Sequence, residues 1–423
     1  MMGKPFLSEG ASYEAFLNLL KFLRDQDHEY ESTQATLSSE EWEAIIKVAR
    51  RQEVLPLLYH RLKQLKVAPP KIVEEELERA YLKNALFNSL FLIELERILE
   101  KLAENSIRVI LLKGAYLLLK VYEDLGLRPM GDIDILVCRE DLAAAHYILL
   151  GLGYQSRAIN PIPVKRWAHY EYLNTDNGVL VEVHWSLLEE HQPVKIDTEI
   201  LWRTSCRESL NGIPFYTLSP ENNLLYLCIH AAKHIGSLSL RFLYDIHKLV
   251  EAQRDSLEWG IVESLARKWR ISRPVALFIQ LTSELFGVEP PLDCFNLLEQ
   301  NGITSHYYSL VKTMLLSNPP YIDAVDPGLM EIFFTKGITR KLSLLWRALI
   351  PYKDEMSNLY RTPPSFVHTL PYYPVRWTRA VLCFLKTFSR ILQELVKNPV
   401  ELREQLKYMK AAAELYDWLL QAS

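Results

Sequence analysis

Cysteine is scarce in this 423-residue chain, and the five present, Cys138, Cys206, Cys228, Cys294 and Cys383, are odd in number and widely spaced. They suggest neither a disulfide framework nor a zinc-ligand pattern, and their mostly apolar neighbours read as buried thiols in a reducing compartment. No stretch approaches the roughly 20 apolar residues of a membrane span. The opening MMGKPFLSEGASYEAF lacks the continuous apolar segment of a signal peptide, so a cytoplasmic location is expected. An excess of charge of one sign is missing too. With 48 basic and 52 acidic side chains the formal net charge is -4, which exerts no global pull on a polyanion and argues against bulk nucleic-acid binding. There is no internal repeat and no low-complexity tract. What is present is an ordinary globular composition, 49% hydrophobic and 24% charged, long enough for two or three domains.

Periodicity divides the chain. From Ser12 to about Glu104 apolar residues recur at helical spacing, and Ser38 or Ser39 is placed to cap a helix with an acidic first turn. The pattern changes at Ser106. IRVILLK reads as a short β-branched strand ended by Gly114, and AYLLLKVYED returns to helical spacing. IDILV is another run of strand length, followed by the helical REDLAAAHYILLGLGY. HYEYLNT and VLVEVHWSL are strand candidates joined through Asp176, Asn177 and Gly178, a hairpin signal. From Ser219 onward the helical period takes over, and Pro363 to Pro374 is expected to be an extended connector. The expectation is an α+β protein in three segments: an N-terminal helical region over 1–105, a mixed α/β core over 106–218 and a C-terminal helical region over 219–423.

Chemistry concentrates in LLKGAYLLLKVYEDLGLRPMGDIDILV, Leu111 to Val137. Alternate residues of a strand share a face, so Asp132 and Asp134 converge while Ile133 and Ile135 face the core. Two such carboxylates repel each other unless a cation lies between them, and oxygen ligands without cysteine suit Mg²⁺ or Mn²⁺. A D-x-D triplet arises by chance about once in a chain of this size. Here it opens an apolar strand after a glycine turn, and Gly114 stands earlier at a strand-to-helix turn. Unpaired N–H groups at that helix start can hold a phosphate oxygen, with Lys113 beside it as a point charge. Glu182, in VLVEVHW, is either a third carboxylate for the same site or a solvated strand position.

K-G with an apolar helix, then RPMGDIDILV, then EVHW, together resemble the nucleotidyltransferase superfamily, whose fold is polymerase-beta-like. More closely the chain resembles a bacterial family of uncharacterised nucleotidyltransferases, typified by L-K-G, R-x-x-G-D-I-D and H-W and by later elements found here at His230 to His234 and Leu243 to Ile246. The resemblance covers residues 30 to 250, more loosely the remainder. It implies metal binding and catalysis by Asp132, Asp134 and Glu182, with an NTP as co-substrate and pyrophosphate as product. The acceptor it leaves open: a small molecule, a peptide or a protein. One departure matters. Gly114 is followed by Ala115, where the superfamily commonly has serine or glycine, and the missing hydroxyl removes a phosphate contact.

Other residues carry two readings each. His230 and His234 share a helix face next to Lys233 and either line the substrate cleft or pack by hydrogen bonds; their spacing alone does not make a zinc site. Arg128 either neutralises phosphate or pairs with an acid. Arg241 and Asp245 fit an intrahelical ion pair. His184 shares a face with Glu182 and is placed to act as a base or to support a ligand, whereas Trp185 reads as core. RWTRAVLCFLKTFSRILQELVKN is apolar on one side and basic elsewhere, a pattern expected of a helix packed on a protein core more often than of one lying on an acidic membrane.

Overall fold

A computed structural model describes residues 9–24, 37–156, 161, 163, 167–189, 192, 194–287, 305–316, 338–351, 353–360, 362, 365–397 and 399–420. It opens with four helices: α1 (Glu9–Leu23), α2 (Ser39–Arg51), α3 (Leu55–Gln64) and α4 (Lys71–Glu104). Ser38 caps α2 reciprocally. Its hydroxyl accepts the Glu41 N–H, and the Glu41 carboxylate accepts the Ser38 N–H at 2.7 Å. Trp42, Ile45, Ile46 and Ala49 then fall on the buried face of α2.

The middle of the chain folds into a seven-stranded mixed sheet in the order β3-β4-β5-β2-β1-β7-β6. The strands are β1 (Ile110–Leu111), β2 (Ile133–Leu136), β3 (Tyr154–Ser156), β4 (His169–Asn174), β5 (Leu180–His184), β6 (Cys206–Leu210) and β7 (Ile213–Thr217). Between them lie α5 (Lys113–Lys120), α6 (Leu142–Gly151) and α7 (Thr198–Arg203). Seven strands enclosed by helical segments make the α+β class expected from the sequence.

The DNG turn does what its residues imply. Gly178 has φ +75°, its N–H returns to the Asn174 carbonyl at 2.8 Å, and β4 and β5 pair antiparallel. The β6–β7 hairpin was not anticipated, although its signal is in the sequence: Asn211 and Gly212 both take positive φ, 50° and 84°, as a two-residue turn between right-twisted strands requires. β1 is shorter than its apolar run suggested, because Leu112 already leaves the strand to start α5. One prediction about cysteine fails: Cys206, on the edge strand β6, is exposed.

After the sheet come α8 (Pro220–Lys233), α9 (Leu240–Ala252), α10 (Trp259–Lys268) and α11 (Ser272–Phe286), with α8, α9 and α11 packed on one another. Further on are α12 (Ser305–Leu316), α13 (Ile338–Leu349), α14 (Lys353–Tyr360), α15 (Phe366–Thr369), α16 (Tyr372–Lys397) and α17 (Pro399–Leu420). The expected extended connector is therefore interrupted by one helical turn at Phe366–Thr369. Pro374 falls in the first turn of α16, where its missing N–H costs no intrahelical bond.

Candidate active site

Register brings the carboxylates together. β2 pairs in parallel with β5, setting Asp134 opposite Glu182, Ile133 opposite Val181 and Ile135 opposite Val183. Partners in register point to the same face, so the isoleucines and valines fill the core, where each is fully buried, and the acids gather on the other face. Ligand atoms of Asp132, Asp134 and Glu182 lie within 4.8 Å of one another. The hairpin adds imidazoles to that face, since β4 sets His169 opposite His184 and Glu171 opposite Glu182. His184 Nε2 lies 2.9 Å from Asp134 Oδ1 and 3.2 Å from Glu182 Oε2; His169 Nε2 lies 3.5 Å from Glu182 Oε1.

Lys113 neutralises this cluster. It heads α5 with φ +42°, a conformation that costs a non-glycine residue on the order of 1–3 kcal/mol. Its ammonium reaches Asp134 Oδ1 at 2.7 Å and Glu182 Oε2 at 3.7 Å. The sequence suggested a phosphate-side point charge at this position. The side chain turns instead to the carboxylates, because a buried ammonium needs a counter-charge and Asp134 supplies one. Burial alone would lower the Lys113 pKa, but Asp134 above all raises it above its ordinary value. Burial alone would raise the Asp134 carboxyl, but Lys113 and the His184 hydrogen bond hold it well below the carboxylate range. Burial alone would raise Glu182 as well, but the His184 hydrogen bond together with the charges of His169 and Lys113 lowers it below its ordinary value. Asp132 goes the other way. Burial, and then the charges of Asp134 and Glu182, push it up to about 6.

The turn before β2 is fixed by buried hydrogen bonds. The Asn88 amide donates to the carbonyls of Leu125 and Arg128 at 2.6 and 2.8 Å. Arg128 is only 5% exposed and donates through Nε and Nη2 to the two oxygens of Asp245 at 2.9 and 2.8 Å, while Tyr122 Oη donates to Asp245 Oδ1. Arg128 thus pairs with an acid, and it also lines the cleft over the carboxylates. The intrahelical pair survives as a secondary contact, Arg241 Nη1 lying 3.6 Å from Asp245.

A Cβ on Gly114 would lie 2.8 Å from Arg128 Nη1, and this guanidinium cannot retreat without giving up Asp245. A Gly114→Ala variant is expected to lose about 1–3 kcal/mol of stability. Denaturant titration reads that loss, and an unchanged midpoint would mean that Arg128 shifts freely.

A cleft of about 890 Å³ opens over the cluster. Its floor holds the three carboxylates, Lys113 and Gly114; one wall is Tyr226, His230, Lys233 and His234 of α8, and another is Arg51 and Glu53 with Arg241 of α9. The first turn of α5 has no side-chain cap, so backbone N–H donors beside Gly114 remain for a ligand. His230 and His234 do line the cleft, their rings 4.5 Å apart. Burial holds His230 well below its usual pKa and His234 down to about 4, with Lys113 adding to both. They are neutral at pH 7 and offer hydrogen bonds rather than charge. The Lys233 ammonium pairs with Glu189 at 3.0 Å.

Sequence reasoning missed His169, Tyr226, Arg51, Glu53 and Arg241 as cleft residues. His169 was within reach, because counting outward from the Asp176–Gly178 turn pairs it with His184. The Arg51, Glu53 and Arg241 wall had no local signal. It forms where the end of α2 meets the start of α9, through Arg241 to Glu53 at 2.9 Å and the Leu240 N–H to Gln52 at 2.8 Å.

Comparison with known proteins adds three findings. A family described as uncharacterised nucleotidyltransferase matches residues 38–287. No curated protein matches the chain. Among solved structures, the antibiotic-resistance factor ANT(2'')-Ia, known from a solution structure, is 15% identical, the similarity covering 43% of this chain and 92% of that one at a TM-score of 0.32. An antigenic nucleotidyltransferase-like protein from Paracoccidioides brasiliensis is 16% identical, with 47% and 92% covered and a TM-score of 0.27.

Proposed function

Because the chain belongs to the uncharacterised nucleotidyltransferase family, we propose that it moves a nucleoside monophosphate from an NTP to a hydroxyl or phosphate acceptor, releasing pyrophosphate, in a reaction that needs Mg²⁺ or Mn²⁺. The observation that carries this reading is the convergence of Asp132, Asp134 and Glu182 at the floor of a cleft. These three would hold the cation. Hard oxygen donors suit it, and the lysine drawn in among them is the kind of charge the cluster calls for. When bound, such an ion neutralises charge that develops on the phosphoryl oxygens.

The chain's own groups supply the rest. The uncapped start of α5 offers N–H donors to an anionic phosphate, and Gly114 keeps that approach open. Lys113, once its carboxylates have another counter-charge, is freed to meet a phosphate. The neutral imidazoles of His230 and His234 hydrogen-bond substrate, and the proposed N-terminal segment, 1–105, contributes Arg51 and Glu53 to the wall. Cytoplasmic location and the three-segment division remain part of this proposal.

The test is to incubate the protein, Mg²⁺ and each α-labelled NTP with a metabolite extract. The proposal expects label on an acceptor and pyrophosphate in solution. Inorganic phosphate instead of pyrophosphate would move the reading to a phosphotransferase or hydrolase, and no consumption of any NTP would favour a binding module that keeps the fold.

A pH dependence follows from Asp132. Cation binding requires its carboxylate, so Mg²⁺ affinity should rise about tenfold per pH unit up to about pH 6 and level off above. Its folded pKa lies above the ordinary value, so in metal-free protein its contribution to stability is present at acid pH and is lost as pH rises through about 6. Mg²⁺ should therefore raise the melting temperature more above pH 6 than below it. An equal increment on both sides would contradict the assignment.

A further inference from the structure

The basic amphipathic helix singled out in the sequence is α16, and among its described side chains an apolar stripe stands exposed. Trp377, Val381, Phe384, Phe388, Leu392 and Val396 recur at three- and four-residue spacing, form one stripe, and are each at least 42% exposed. The side that meets the protein is a different one, carrying the buried Tyr373 and Thr387. Its neighbour α13 repeats the pattern: Ile338, Leu342, Leu345, Trp346 and Leu349 are each at least 40% exposed. The two helices pack together, and the Trp377 indole N–H donates to the Leu349 carbonyl at 2.7 Å. Exposed apolar stripes on two helices that pack together mark a place where something binds.

Charge says what. Residues 338–397 carry ten basic and three acidic side chains, a net of +7 in a chain whose total is -4, which leaves -11 for the remainder. On α16, Arg376, Arg379, Lys386, Arg390 and Lys397 lie on the polar side away from the apolar stripe. A helix is about 10 Å across, comparable to the Debye length in physiological salt, so charges on its upper side still feel an anionic surface beneath it. Tryptophan and phenylalanine on the apolar side and arginine and lysine on the other is the composition of helices that lie in a lipid headgroup layer. No helix among the described residues is long and apolar enough to cross a bilayer, which fits attachment from one side.

We propose that α13 and α16 form a docking face for an anionic phospholipid bilayer, the apolar stripes entering the headgroup region and the basic residues, on the other side of α16, held toward it by attraction across the width of the helix. The sequence pattern suggested packing on a protein core instead. What overturns that expectation is the exposure of the stripe.

The test is flotation of the full chain, without nucleotide or metal, with vesicles of phosphatidylcholine alone and of phosphatidylcholine mixed with phosphatidylglycerol. The proposal expects binding to the mixed vesicles only, weakening as salt rises. Trp377→Glu with Phe388→Glu should reduce it at least tenfold. Each basic side chain near an anionic surface contributes about fivefold in affinity, so Arg379→Glu with Lys386→Glu should weaken binding by more than that. All four positions are exposed or half-exposed, and melting temperature and circular dichroism check that the variants fold. Failure of the native chain to float with mixed vesicles, or equal flotation of the apolar variant, overturns the proposal. So does a concentration-dependent dimer, seen by light scattering and abolished by Trp377→Glu with Phe388→Glu, since the face would then belong to a second copy of the chain.

Discussion

An Asp134→Asn variant is expected to lose Mg²⁺-dependent nucleotide binding and about three orders of magnitude in turnover, since a catalytic cation supplies several kcal/mol of charge stabilisation. Asp134 is the buried centre of the cluster: one oxygen meets Lys113 at 2.7 Å and His184 at 2.9 Å, and its strand partner is Glu182. Asparagine keeps the shape and removes the charge. Lys113 would keep Glu182 as a counter-ion and the isoleucine face of β2 would be untouched, so the fold should survive. Mn²⁺ binding followed by electron paramagnetic resonance, beside a melting curve, separates the two effects. A folded variant that binds metal and nucleotide as the native chain does would remove Asp134 from the site.

Lys113→Met should push two affinities in opposite directions. In metal-free protein the lysine is the counter-ion of Asp134 and Glu182 and competes with any cation for them. Without it, three carboxylates face one another with the ammonium between them gone, and breaking a buried pair in this way costs about 3–5 kcal/mol. A divalent cation would recover much of that. Mg²⁺ or Mn²⁺ should bind at least about tenfold more tightly, each factor of ten corresponding to about 1.4 kcal/mol. The melting temperature should fall without metal and recover with it. Nucleotide should bind more weakly, because a positive charge at the start of α5 is gone. Unchanged metal affinity would mean that the lysine does not contend with the cation. Nucleotide affinity that rose together with metal affinity would show that the lysine does not serve phosphate.

The parts of this architecture that were legible in the sequence are those set by local chemistry. The D-x-D spacing brought Asp132, just before β2, and Asp134, within it, together, and the DNG turn joined β4 to β5. Ser38 or Ser39 before an acidic first turn marked the start of α2, where Ser38 is the cap. The asparagine and glycine between β6 and β7 carried an equally plain signal that went unread. Other features depend on tertiary pairing. The parallel register of β2 and β5, which sets Asp134 beside Glu182, has no turn between the strands to announce it. Arg128 could not be assigned without knowing that Asp245, on a distant helix, lies 2.8 Å away. The direction taken by Lys113 depends on a left-handed φ that nothing in a K-G dipeptide dictates. The exposure of the α16 stripe was misjudged because a sequence shows that a face is apolar, not whether the fold covers it.

The central claim is that Asp132, Asp134 and Glu182 make a cation-dependent nucleotide site, and calorimetric titration of the native protein with each NTP, with and without Mg²⁺, tests it most directly. The account predicts heat of binding only when Mg²⁺ is present, for at least one nucleotide. Binding of equal strength after the metal is chelated, or no binding of any nucleotide in its presence, would contradict it.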